Sequence, residues 1–432
     1  MKRIIKLLMC FMGAVLLGIG AMILVYMMPT ERVKEHILES KTFIMSQNEL
    51  ELAGQQYLDD KVDVSATCIM LHEVIYENTE KNLLTQAMLV SKYYVNAPEV
   101  MFLSNAVDLY DQLEGVANVP AYEQTYARYW HGYLVPIKLL LEFFDIEEIF
   151  KLNGILLLIL IIVCIIQMSK IQERGRTLIL AFVSFLCLIN PYTISKSFQL
   201  ADISYITLIS MIIIMYMYQR KADQGHLIYL FFFNGIAVAF FDFLTYPLVA
   251  WGIPALLCVY LYQDSGDSQV VSTIKNGISW FLAYTGMWGA KICLATLLTD
   301  ENILQDASTQ VGLHTTASGA WEGEKITFAN AIIHNVKNAT AKPMVIIYLI
   351  CLIVLLYHLR KSEKSSTMKS NIVLMILISV TPFAWYFVMV HHSYLHSYMT
   401  YRELGIFVFG VFLLLGNRKD RTCLENEKRK IY

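Results

Sequence analysis

Charge is scarce in this 432-residue chain: 16% of its residues are charged, and 34 basic against 36 acidic residues leave a formal net charge of −2. A protein that neutralises a nucleic-acid backbone needs a basic excess, so nucleic acid is not expected as a partner. Cysteine supplies no framework. Cys10, Cys164, Cys187, Cys258, Cys293 and Cys351 lie in apolar runs, Cys423 lies in the tail, and Cys68 alone falls in a polar loop. With no CxxC and no Cys/His ligand spacing, neither disulfides nor zinc are expected. No internal repeat and no inverted pair of broken helices is visible, which counts against a secondary transporter. What the chain has is apolar surface: 56% of it is hydrophobic and its mean hydropathy is +0.49, too apolar for an ordinary soluble globule.

These properties predict an all-α polytopic membrane protein with about ten transmembrane helices. The first helix fills residues 1–28: a basic MKRIIK start precedes an apolar run that is about long enough to span and lacks a small-residue cleavage site. Residues 29–152 form a large helical extracytoplasmic loop. Within it Ala66–Val90 and Pro98–Leu113 read as two amphipathic helices, and 136–150 as an interfacial helix leading into the next span. Spans two to seven occupy 153–298, in runs at about 153–169, 177–193, 201–218, 226–243, 246–263 and 276–298. A second outside loop, 299–342, opens polar and becomes amphipathic in EKITFANAIIHNV, which reads as a flexible lid ending in an interfacial helix. Spans eight to ten occupy 343–417, at about 343–359, 371–390 and 402–417, and 418–432 is a cytoplasmic tail. The Lys/Arg bias supports this order. Loops placed inside carry Lys170, Arg174 and Arg176; Arg220 and Lys221; Arg360, Lys361, Lys364 and Lys369; the tail is likewise basic. Loops placed outside, such as 191–200 and 391–401, hold at most one Lys or Arg; 264–275 is the one weak inside case. Both termini are then cytoplasmic.

Polar groups interrupt the apolar pattern at a few places. YARYWHGY supplies Tyr126, Arg128, Tyr129, Trp130, His131 and Tyr133. It reads either as an aromatic belt fixing the depth of the next helix or as a lipid-phosphate site, because Arg and His beside ring faces suit a phosphate. Asp242 sits in FFDFLTYP and either caps a helix or lines a cavity. Lys291 follows Trp280, Tyr284 and Trp288 at helical spacing, and either snorkels or serves a site. HHSYLHSYMTYRE brings together His391, His392, His396, Tyr398, Tyr401, Arg402 and Glu403, and PYTISKSFQ adds Ser195, Lys196 and Gln199. The three histidines have a metal-like spacing, but neighbouring positions diverge on a helix and no carboxylate pair accompanies them, so no metal is expected. All these groups fall on the outer side, which points to one outward-facing polar cavity.

The long first loop, YARYWHGY, FFDFLTYPLVAWGIP, WFLAYTGMWGAKICLATLLT and HHSYLHSYMTYRELGIF together resemble bacterial membrane proteins of the GT-C glycosyltransferase type, over nearly the whole chain. The resemblance implies a multi-pass protein of the bacterial plasma membrane. It would move a sugar from a polyprenyl-phosphate donor to a cell-envelope glycan or lipid-linked acceptor, without a cofactor. Its partners are then the lipid-linked sugar, the glycan acceptor and membrane lipids. It further implies an acid early in the first outside loop as general base, here Asp63 first and Asp60 second, with Arg128, His131, Lys291, His392, His396 and Arg402 holding the donor phosphate. Tyr129, Trp130, Asp242, Trp288 and Tyr401 would line the cavity. Relatives tend to carry a Thr-Asp pair before the helix that follows, where this chain has Ser65-Ala66-Thr67. That departure keeps two rivals open: a transporter or flippase of a lipid-linked glycan, and a non-catalytic envelope-assembly protein. Asp59, Asp60 and Asp63 also read simply as acids favouring a helix N-terminus.

Overall fold

A computed structural model describes residues 2–52, 64–96, 101–116, 121–265, 268–317, 320–321, 323–340, 342–359, 362–364, 369–416 and 418–420. The chain is a mainly helical, multi-pass membrane protein. Among the described residues seven helices, of 18 to 30 residues, are long and apolar enough to cross a membrane: Arg3–Met27, Ile146–Ser169, Phe198–Gln219, Gln224–Phe241, Gln269–Leu298, Lys369–Val388 and Ser397–Leu415. At 1.5 Å per residue even the shortest comes close to the roughly 30 Å hydrocarbon core. Three further stretches read as spans are also helical, Gln172–Ile189, Leu248–Leu261 and Lys342–Leu359. The first has Arg174 and Arg176 near its start, and the second is a 14-residue helix.

Among the described residues two large apolar cores, and a small third one of Ile326, Ala331, Val390 and Tyr394, hold the elements together. One lies inside the bundle, among residues such as Phe182, Met211, Leu256 and Phe409. The other joins the first helix and Gln269–Leu298 to the first-loop domain through Met22, Leu71, Trp130, Leu141 and Met287. Leu16, Leu17 and Leu24 on the first helix, and Ile155, Leu158 and Ile162 on Ile146–Ser169, remain exposed. Contiguous apolar surface of this kind is what lipid covers.

The first-loop domain is helical, as expected, but its helices are shorter. Ala66–Val90 is not one helix: Val64–Val74 ends and Leu83–Leu89 begins anew. Asn78 and Asn82 explain the break, since their side chains accept from the Glu80 and Thr85 N–H groups and so favour a turn and a helix start over a continuous helix. Lys92–Tyr94 and Tyr122–Gln124 pair as a small antiparallel ribbon, with Lys92 opposite Gln124. Nor is 136–150 one helix. Leu134–Leu141 stops, and Ile146–Ser169 starts at a capping box in which Asp145 and Glu148 satisfy each other's N–H groups. Lys138 in Leu134–Leu141 is buried. The 299–342 loop also departs from expectation. Its first part is the helix Ile303–Thr315, capped by Asn302; the amphipathic helix expected next is Phe328–Ala339.

Residues 126–133 dock this domain onto the bundle. Trp130 is fully buried, and its indole N–H donates to the Met287 carbonyl at 2.7 Å. The Gly132 N–H donates to the Phe240 carbonyl at 2.8 Å. A Cβ at Gly132 would stand 2.3 Å from the Phe240 ring and 2.6 Å from its carbonyl oxygen. Gly132→Ala is therefore expected to destabilise the protein by about 1–3 kcal/mol, the usual penalty of overpacking. Thermal unfolding of the detergent-solubilised chain measures it, and an unchanged midpoint contradicts close docking here.

Candidate functional site

Of the candidate cations Arg128, Lys291 and Arg402, Arg128 alone is not fully buried. Its guanidinium rests over the rings of Tyr126 and Tyr129, at 4.6 and 5.6 Å to their centroids. It pairs with Asp306 on Ile303–Thr315 at 3.2 Å, while its buried Nε has no partner. The helix that brings Asp306 also brings His314, which lies within the field of the Arg128 charge. The His314 ring meets the His392 ring edge-on at 5.0 Å, and His392 meets His396 at 4.8 Å. Four imidazoles thus gather here from two segments, His314 from one and His391, His392 and His396 from the other, and the other three act electrostatically on His392.

His392 rests against a corner built by Asp242. Its carboxylate accepts the Leu244 N–H at 2.9 Å, the Thr245 N–H at 3.1 Å and the Thr245 hydroxyl. Those bonds hold Leu244 in the left-handed region, φ 79°, a conformation costly for a branched residue. His392 Nε2 donates to the Leu244 carbonyl at 2.8 Å. Since the carbonyl can only accept, Nε2 carries the hydrogen and Nδ1 of the neutral ring keeps its lone pair. Burial pushes the Asp242 carboxyl up to about 6 against its hydrogen bonds. Tyr129 and Tyr284 both lie within the field of Asp242.

Burial disfavours the charged form of the histidines. His396 and His314 are lowered to about 4, and His392 is lowered well below the ordinary 6.5. The folded chain binds fewer protons than the unfolded one between about pH 6.5 and 4, so their contribution to stability is full above 6.5 and is lost progressively as pH falls to about 4. Thermal unfolding against pH is expected to show this slope, flattened in His396→Gln. A curve parallel to that of the unmodified protein contradicts a buried neutral ring.

The other cations read from the sequence end elsewhere. The Lys291 ammonium is fully buried and donates to the carbonyls of Ala87 and Met88 at 3.1 and 2.9 Å, in the last turn of Leu83–Leu89. It also lies 5.5 Å from the Trp130 ring. Arg402, likewise fully buried, donates to the last carbonyl of Gln172–Ile189 at 3.0 Å and to the Tyr398 carbonyl at 2.8 Å, and lies over the buried Tyr401 ring at 4.6 Å. Both therefore sit at helix C-termini, where orphan carbonyls and the helix dipole favour a cation. Trp288 keeps an unpartnered buried indole N–H. Asp60 and Asp63 lie outside the described residues; Val64, the next residue, opens the helix Val64–Val74.

His131 belongs to a different network. It is buried with φ 56°, and its Nε2 donates to the Tyr126 carbonyl at 2.7 Å. Its Nδ1 lies 3.3 Å from Glu73 Oε2, which also accepts the Tyr133 hydroxyl at 2.8 Å. Lys92 stands 3.8 Å from the other Glu73 oxygen and 4.5 Å from the centre of the Tyr126 ring. Burial opposes the Glu73 charge, but the His131 and Lys92 charges and the hydrogen bonds outweigh it and hold the carboxyl below the ordinary range. This network underlies Tyr126 and hence the face that carries Arg128. Glu73, Lys92, Asp306 and His314 escape a reading of the sequence because each looks like an ordinary residue of a solvated loop.

The assembled site has one fixed cation on aromatic faces, neutral imidazoles with buried Nδ1 atoms that lack a partner on His314, His391 and His392, and a carboxyl poised to exchange a proton. A cation with hydrogen-bonding rings suits an oxyanion such as phosphate; a carboxyl near 6 suits proton transfer at neutral pH. Among the described residues no cluster of three or more His, Cys, Asp or Glu side chains is arranged to hold a metal ion. No protein-family model, curated protein or solved structure matches the chain.

Proposed function

We propose that the chain is a GT-C-type membrane glycosyltransferase that moves a sugar from a polyprenyl-phosphate donor onto a cell-envelope glycan or lipid-linked acceptor at the outer face of the plasma membrane. The observation that supports this reading most is Arg128, stacked on Tyr126 and Tyr129 beside the histidine cluster and the Asp242 corner. In this reading Arg128, His392 and His396 hold the donor phosphate, and Tyr129, Asp242 and Trp288 line the acceptor side. Lys291, Arg402 and His131 build the surroundings rather than touch phosphate, and Trp130 and Tyr401 pack them in place. Asp63, with Asp60 second, remains the proposed base. All ten helical runs cross the membrane, both termini are cytoplasmic, and the first-loop domain and the 299–342 segment lie outside, in keeping with the Lys/Arg bias of the loops.

Phosphate departs as an anion, so a cation that strengthens its hold as charge develops assists the reaction without a metal. Arg128→Ala removes a charged hydrogen bond, about 1.5 to 3 kcal/mol, and is expected to weaken binding of a polyprenyl-phosphate sugar roughly ten- to a hundredfold. Titration of the purified variant with the donor measures this. Unchanged donor affinity contradicts the phosphate assignment.

A further inference from the structure

Two carboxyl groups, Asp202 and Glu403, lie within the field of a third, Asp242, and none of the three forms a salt bridge among the described residues. Asp242 forms the corner described above. Two residues further on from Thr245's neighbour Tyr246, the Leu248 N–H donates to Glu403 Oε1 at 3.1 Å, and Glu403 is fully buried with its Oε2 unpartnered. Tyr246 itself clamps the corner to Phe198–Gln219 on both sides of Asp202, since its hydroxyl lies 2.5 Å from the Leu200 carbonyl and 2.9 Å from the Ser204 hydroxyl. Asp202 Oδ2 is buried there without a partner.

Like charges gathered in a low-dielectric bundle do not all ionise; they take up a counter-ion or a proton. The arrangement offers no metal geometry, which leaves the proton. The facing groups otherwise are phenols: Tyr205 beside Asp202, Tyr129 and Tyr284 beside Asp242, and Tyr386 and Tyr284 beside Glu403. The remaining charge nearby, Arg402, acts on Tyr246 and donates to the Ile189 and Tyr398 carbonyls. A line of imidazoles leads from the same corner towards Arg128. His392 binds the Leu244 carbonyl of the same corner and keeps a buried lone pair on Nδ1, and its ring is followed by those of His396 and His314 towards Arg128. Chains of histidine and carboxylate inside a membrane bundle are characteristic of proton relays.

We propose that Asp202, Asp242 and Glu403 form a proton-binding site inside the membrane bundle, reached from the first-loop end through His392, His396 and His314. Sugar transfer is not required for it. The test uses the unmodified full chain in sealed membrane vesicles of one orientation, treated with the hydrophobic dicyclohexylcarbodiimide and mapped by peptide mass spectrometry. That reagent attacks only a protonated carboxyl: the acid proton moves to a carbodiimide nitrogen, the carboxylate oxygen bonds to its central carbon, and rearrangement leaves a stable acylurea. The expected result is an adduct on Asp202, Asp242 or Glu403 that falls by roughly tenfold or more as the pH on the first-loop side is raised by a few units with the other side held constant. Absence of an adduct on all three, labelling indifferent to pH, or labelling that follows only the pH of the opposite side would overturn the proposal. Because no sugar donor is present, the outcome is independent of whether transfer occurs.

Discussion

Asp63→Asn is expected to lower sugar transfer by about 10²- to 10⁴-fold while donor binding changes little, as removal of a positioned general base does. The acceptor hydroxyl must lose its proton as it attacks the sugar carbon, and the amide of asparagine cannot take it. Asp63 immediately precedes the helix Val64–Val74, whose buried face belongs to the core that joins the first-loop domain to the bundle. Asp60 stands second because the neighbouring Lys61 can pair with it in water. Transfer rates and donor titrations on Asp63→Asn and Asp60→Asn check the assignment together. Full turnover in both discards it.

The second large effect is on stability. Glu73→Gln keeps the volume of the side chain but leaves Lys92 and His131 buried without their counter-charge. Breaking a buried pair in this way costs about 3–5 kcal/mol. Thermal unfolding of the purified variant is expected to show a large drop, and Lys92→Met in the same chain to recover part of it, because the stranded ammonium is then gone. A loss below about 1 kcal/mol means that the network is solvated, not buried. The same variant also tests the link from this network to Arg128. The Tyr126 ring is in contact with both Lys92 and Arg128, so donor affinity is expected to weaken along with stability.

The positions of the membrane helices are legible from apolar run length alone, since twenty or so apolar residues have few other uses. Their ends are less so. Asp145 and Glu148 form a capping box within a run that reads as one continuous interfacial helix, and the box starts a new helix at Ile146. Lys291 and Arg402 announce only that a charge sits in an apolar helix. Their partners, the Ala87 and Met88 carbonyls and the Ile189 carbonyl, lie about two hundred residues away in sequence, and periodicity carries no information over that distance. His314 and Asp306 were legible in principle, for Asn302 with a following amphipathic stretch is a helix-start signal. Among glycine, threonine and serine it reads instead as a flexible loop. Arg128, Tyr129, Asp242, His392 and His396 stand out in the sequence as polar or aromatic groups in or beside apolar runs. What the sequence leaves out is the set of residues that complete them.

Sugar transfer by the purified, unmodified chain tests the account most directly. A panel of polyprenyl-phosphate sugars, labelled in the sugar, is offered with glycan and lipid-linked acceptors, and both products are quantified. The expected result is labelled acceptor together with an equal amount of free polyprenyl phosphate, in the absence of added metal and abolished in neither chelator nor high salt. Donor that binds yet is never consumed contradicts the catalytic reading and favours a protein that carries or assembles lipid-linked glycans; donor that does not bind contradicts the site itself.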